Sequence, residues 1–159
     1  MSDTYSFKDL DQIPVKQKEV IDSIVGKYKE GYTIAVGCDS QMFCDRVSFV
    51  TTVCAHHRSK GANGFYVKVK MPRKNYPTLK SRISAETFSS LEMAYWIKEM
   101  LPVGAKLEVH LDIGNDPKRC ATFKFKKELT SIVKSQGFCC KIKPESWASS
   151  GVADWFTKT

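Results

Sequence analysis

The sequence predicts an α/β fold in which helices cover a mixed β-sheet, and three observations predict it. Three β-prone runs with short links follow one another between residues 32 and 71, the pattern of a meander. Beyond them, strand-like and helix-like periodicities alternate, as crossover connections between parallel strands require. No repeat or linker-like tract interrupts the 159 residues, so residues 1–159 read as one domain, with 1–30 a helical extension and 32–159 the core.

In the extension, residues 13–29 read as a helix beginning near Pro14, because Ile13, Val20, Ile21, Ile24 and Val25 form an apolar stripe and Gly31 stands just past its end. The run Tyr32 to Cys38 is the first core strand, closing on Asp39 and the polar turn Ser40-Gln41. Residues 46–57 and 64–71 are the second and third strands, joined by the turn-rich segment 59–63. In the third, Phe65, Val67 and Val69 alternate with Tyr66, Lys68 and Lys70, which marks one wet face or an uncovered edge. Thr78 as N-cap and Pro102 as stop bracket a long helix over 79–101. Leu107 to Ile113 is the fourth strand, broken by Gly114-Asn115-Asp116-Pro117. An amphipathic helix over 118–135 ends at Gly137, Phe138 to Ile142 is the fifth strand, and a short helix over 149–158 follows Pro144.

A chain that is 42% hydrophobic and 26% charged has the composition of a folded protein, not a disordered one. No apolar run is long enough to span a bilayer, and the first ten residues lack the basic end and greasy stretch of an export signal, so a membrane partner is not expected and a cytoplasmic location is. Cys38, Cys44, Cys54, Cys120, Cys139 and Cys140 then read as reduced small hydrophobes, and the lack of any C-x-x-C spacing argues against a zinc ribbon. Twenty-five basic residues against 17 acidic ones give a formal charge of +8, which favours a polyanionic partner, nucleic acid above all.

Four acids carry the functional argument. Asp39 and Asp112 end otherwise apolar strands, where aspartate is depleted and where the carboxyl ends of parallel strands bind ligands. On neighbouring strands they repel each other unless a cation lies between them; for either one alone, turn formation is the alternative. In the long helix, about 100° per residue puts Glu86 on the inward face with Leu79, Ile83, Ala94, Ile97 and Leu101, whereas Glu92 and Glu99 fall outside it. An inward carboxylate is costly unless a metal or a basic partner neutralises it. Asp154 stands near the start of the last helix, where an acid also suits the helix dipole.

An acid on a strand, one on a helix, one on a second strand and one in a terminal helix, on a β-β-β-α-β-α-β-α chain, resembles ribonuclease H. More closely, Val36 to Gln41, Val109 to Gly114 and Lys143 to Ser146, followed by Ala153-Asp154, are similar to the bacterial YkuK-like family of the RNase H-like superfamily, from about residue 32 onward. The resemblance implies a five-stranded mixed sheet of order 3-2-1-4-5. It also implies a metal-dependent nuclease that hydrolyses phosphodiester bonds in RNA, DNA or a hybrid. Two Mg²⁺ or Mn²⁺ ions would be held by Asp39, Glu86, Asp112 and Asp154, hard cations on oxygen ligands. Asp39 and Asp112 match the first- and fourth-strand aspartates of RNase H, Asp154 the acid of the last helix, and Glu86 the helix glutamate, for which Glu92 in Leu91-Glu92-Met93-Ala94 competes. This chain departs from cellular RNase H in the shorter stretch between Asp112 and Asp154, which has no basic substrate-binding helix. Asp39-Ser40-Gln41 also lacks the Asp-x-Glu pair of proofreading exonucleases. The alternative is a catalytically silent nucleic-acid-binding or scaffold module on the same fold.

Backbone contacts to a nucleic acid are assigned to Arg73 and Lys74 beside Tyr76, and to Lys118 and Arg119 with Lys124, Lys126 and Lys127, against the simpler reading of solvated lysines. Lys141, Lys143 and Lys158 would form a basic rim around the acids. His110 faces the same side as Asp112, so it either steers a phosphate or proton or is a hydrogen-bonded sheet histidine. Trp147 and Trp155 stack on bases or pack internally. No glycine-rich phosphate loop supports a small-molecule phosphotransferase.

Overall fold

The structure, a computed structural model, describes residues 5–158. Seven strands make one sheet: β1 (Phe7–Asp9), β2 (Pro14–Val15), β3 (Thr33–Met42), β4 (Arg46–His57), β5 (Gly61–Pro72), β6 (Glu108–His110) and β7 (Cys139–Lys141), in the order β2-β1-β5-β4-β3-β6-β7. The meander β3-β4-β5 is antiparallel, and β6 and β7 add to the other side of β3 in parallel. Counted from the first core strand, this is the 3-2-1-4-5 order, extended by two short strands at the β5 edge.

Those two strands correct the reading of the extension. Ile13 is exposed, and Pro14–Val15 pairs antiparallel with β1 through Phe7↔Val15 and Lys8↔Pro14. Proline disfavours the helical region for the residue before it and donates no N–H, so it suits an outer strand better than a helix interior. The helix α1 (Gln17–Lys29) therefore starts after Lys16, and of the proposed stripe Val20 and Ile24 are the fully buried members.

The long helix α2 (Leu79–Met100) begins at Thr78, whose side chain accepts from the Ser81 N–H while Ser81 answers the Thr78 N–H. By contrast α3 (Lys126–Ser135) starts later than periodicity suggests. Asp116 captures the preceding chain in a turn, its carboxylate accepting from Lys118 N–H and its carbonyl from Cys120 N–H, a local competition that aspartate often wins against helix. Past Pro144, a π-helical turn (Ala148–Ala153) runs into α4 (Asp154–Thr157).

The two faces of the sheet are covered unequally. On one, α1, α2 and α3 bury the main core, in which Val36, Val53 and Val109 meet Ile24, Ile97 and Val133. On the other, Val50 and Tyr66 are capped by Ala153 and Phe156 of the terminal segment.

Candidate metal centre

β3 delivers Asp39 to the thinly covered face, because alternation sends Cys38 and Ser40 to the other one. Gly37, two residues earlier on that face, allows the π turn to lie directly on the strand. A Cβ there would stand 2.6 Å from Ser149 N and 2.8 Å from the Ala148 carbonyl carbon. The turn is held further by Thr52 Oγ1, which donates to Ala148 O at 3.2 Å. It is also held by Ala148 N–H, which donates to His110 Nδ1 at 3.0 Å.

Since Nδ1 accepts, the ring proton sits on Nε2 and donates to Glu108 Oε1 at 2.8 Å. Burial keeps this imidazole neutral by lowering its pKa, against the opposing pull of Glu108. His110 is wholly enclosed with both nitrogens engaged, an environment that suits the second of its two readings, the hydrogen-bonded sheet histidine, and its bond to Ala148 holds the terminal segment.

Asp112 follows β6 by two residues, in a segment that still pairs with the β7 region through Leu111 N–H to Lys141 O. Its Oδ1 accepts from Lys143 Nζ at 2.8 Å and from Ser150 Oγ at 3.1 Å. Glu86 enters from α2, only 6% exposed. Ser40 Oγ donates to its Oε2 at 2.5 Å, while Oε1 is buried without a hydrogen-bond partner. One carboxylate oxygen each from Asp39, Glu86 and Asp112 lie within 4.8 Å of one another. Glu92 sits on the exposed side of α2 near Tyr5, away from this cluster.

Asp154 adjoins the trio without being one of the three converging acids. It interacts with Asp39, while its Oδ2 pairs with Lys158 Nζ at 3.1 Å.

The electrostatics follow from this crowding. Burial chiefly, then the Glu86 charge and contacts with Asp112 and Asp154, push Asp39 up to about 9. Burial raises Glu86 to about 8, against the Ser40 hydrogen bond that favours its ionised form. Asp112 also feels burial, but the Lys143 ammonium and hydrogen bonds from Asp39 and Ser150 hold it below the usual range. Lys143 thus offsets one charge of three, and the protein alone leaves the other two protonated near neutrality. A hard divalent cation fits such a place: every donor is a carboxylate oxygen, and the orphaned Glu86 Oε1 has no other ligand among the described residues.

The remaining basic candidates are dispersed. Arg73 Nη1 donates to Phe43 O at 3.0 Å, and Lys74 is exposed beside it in a 3₁₀ turn. Lys118 and Arg119 lie exposed in the turn around Asp116, to which Arg119 is paired at 3.7 Å. Trp147 packs edge-on against His110, whereas Trp155 is 72% exposed. Ser40 and Ser150 were not anticipated as acid partners; adjacency to Asp39 marks the first, and nothing local marks the second.

A mixed sheet of this order, with one acid in the last part of β3, which runs on through the expected Ser40-Gln41 turn to Met42, a second just past β6 and a glutamate from the intervening helix, defines a ribonuclease H-like protein, and the chain belongs to that family: the family model described as "Ribonuclease H-like" matches residues 16–158. Among individual proteins it is 31% identical over 176 residues to "Uncharacterized protein YkuK" of Bacillus subtilis (strain 168), covering 99% of this chain and all of that one. No solved structure matches it significantly. No helix among the described residues is long and apolar enough to cross a membrane.

Proposed function

We propose that the protein is a divalent-metal-dependent nuclease that hydrolyses phosphodiester bonds at the Asp39, Glu86 and Asp112 cluster, with Asp154 completing the centre. The observation that carries this reading is the convergence of carboxylate oxygens from buried Asp39 and Glu86 and half-buried Asp112, together with a Glu86 oxygen that is buried without a partner. Asp39, Glu86 and Asp112 would hold Mg²⁺ or Mn²⁺, which would supply Lewis-acid polarisation of a phosphate oxygen and a more acidic attacking water. The protein's own groups prepare the place. Ser40 fixes the Glu86 carboxylate through Oε2 and leaves Oε1 without a partner, and Ser150 and Lys143 fix Asp112. The Lys143 ammonium, half exposed beside Asp112, would meet a phosphate oxygen as the anion arrives. A second ion beside Asp154 requires Lys158 to swing away from it, which an exposed lysine does at little cost. The substrate is RNA, DNA or a hybrid, acted on by one domain spanning residues 1–159. Six unpaired cysteines suit a reducing compartment such as the cytoplasm.

The contacts of Lys143 and Lys158 with two of the acids favour the second reading, a catalytically silent module in which lysines replace metal. The two separate in one assay series, with labelled single-stranded RNA, DNA and hybrid duplex in Mg²⁺ and in Mn²⁺. The nuclease reading expects cleavage that EDTA abolishes and Asp39→Ala removes without weakening binding. Cleavage persisting in excess EDTA, or no cleavage of any substrate in either metal, would overturn it.

A further inference from the structure

We propose that the open part of the sheet beyond α4 binds the sugar-phosphate backbone of a nucleic-acid strand through Lys8, Lys68 and Lys70. This deepens the nuclease reading and rests on it for what the strand meets at its other end.

Residues directly opposed across antiparallel strands point to the same face. Asp39 opposes Val50, and Val50 opposes Lys68, so the acid and the lysine share one row across the sheet. With strands about 4.8 Å apart, their backbones stand roughly 10 Å from each other. A duplex strand advances about 3.4 Å per nucleotide, so about three nucleotides cover that distance. Lys70 opposes Ser48 on the same face, and Lys8 reaches it because β1 pairs through Lys8↔Tyr66.

Among the described residues, the terminal segment and Leu10 cover this side, and Phe156 stacks on the ring of Tyr66 at 4.2 Å. Beyond that ring opens a groove of about 580 Å³, lined by Ser6, Lys8, Gln12, Tyr66, Lys68 and Lys70. Lys68 Nζ donates to Phe156 O at 3.1 Å, which draws the head of the side chain toward the end of α4. Lys8 and Lys70 are exposed and have no acid within ion-pair distance among the described residues. The nearby Asp9 is turned into its own loop, where its Oδ1 accepts from Asp11 and Ile13 N–H. Burial and the charges of Lys70, Lys8 and Arg46 together lower the Lys68 pKa, a like-charge crowding that an anionic ligand relieves. Hydroxyl, amide and ammonium donors around an aromatic ring are the equipment of a backbone-tracking groove. Lys8 belongs to the added N-terminal strand pair, so the groove exists because of that addition.

The test uses the full chain in EDTA, so that binding is read without cleavage. A fluorescein-labelled 20-nucleotide RNA is titrated by anisotropy at several salt concentrations against the parent, a Lys8→Gln/Lys70→Gln variant, and a Lys18→Gln/Lys29→Gln variant with the same charge loss on α1. The groove variant is expected to bind about 10-fold more weakly, with its log–log salt slope shallower by about 1.4, while the α1 variant keeps the parent slope. In the unaltered protein, bound RNA is expected to shield Lys8 and Lys70, but not Lys18 and Lys29, from acetylation. Equal effects of the two variants, no shielding, or parent binding to anionic phospholipid vesicles but not to RNA each overturn the groove. Shielding and a changed slope without any hydrolysis in Mg²⁺ or Mn²⁺ would leave the groove standing and sink the nuclease reading instead.

Discussion

A carboxyl group buried in a β-strand keeps its proton until something better replaces it, and Asp39 is in that position. With Asp39 raised from 3.8 to about 9 and Glu86 from 4.5 to about 8, the folded, metal-free protein holds two protons that the unfolded chain gives up near pH 4. Stability contributed by these groups is therefore complete below about pH 4 and is lost as pH rises through 8 to 9. Melting temperatures measured in EDTA should fall steadily from pH 5 to 9.5, fall less in Asp39→Asn, and become nearly flat in excess Mn²⁺. A melting temperature indifferent to pH in EDTA would contradict the protonated centre. The choice between the two helix glutamates is equally testable, since Glu86→Gln should lower Mn²⁺ affinity by an order of magnitude or more while Glu92→Ala leaves it unchanged, by isothermal titration. That choice was legible in the sequence because α2 is regular, and 100° per residue sorts its faces. The role of His110 was not, since its partner Ala148 lies 38 residues away and only the fold brings them together.

Among the elements, the terminal turn depends on one missing side chain. Gly37→Ala places a methyl group against the backbone of Ser149 and Ala148, which cannot rotate aside as a side chain does. The substitution should cost about 2–3 kcal/mol, read as a lower urea midpoint at unchanged m-value, and should also weaken Mn²⁺ binding because Ser150 and Asp154 move with the turn. The meander and α2 could be read from alternation, turn residues and caps, all of them local signals. The N-terminal strand pair, the late start of α3 and the π turn could not. Pro14 sits at the start of a helix as readily as in an outer strand, and Asp116-Pro117 competes with its own helix. The turn over 148–153 is fixed by His110, Thr52 and Gly37, residues far from it in the chain.

Over the whole molecule, the acids meet because β6 joins β3 in parallel on the side away from the meander, while α2 crosses behind with Glu86. The 3-2-1-4-5 order followed from the resemblance of a few segments, and the net charge of +8 was evident from composition. Where that charge gathers was not, because Lys8 and the β5 lysines become neighbours only through pairing of β1 with β5. A centre assembled from such distant segments ties metal binding to the integrity of the fold. Mn²⁺ at 100 times its dissociation constant should add about 2.7 kcal/mol, a rise of roughly 5–11 °C in melting temperature by scanning fluorimetry. Asp39→Ala should abolish that rise.

Among the described residues, β1 pairs with the outer side of β5 at Phe65 and Tyr66, and the stretch from Lys68 to Met71 beyond them is an edge that an extended chain can approach. Positive charge at Lys68 and Lys70 is what repels a second molecule from docking there and continuing the sheet. Neutralising both would therefore do more than silence a polyanion groove: it would invite edge-to-edge self-association, visible as a rise in concentration-dependent light scattering over that of the parent.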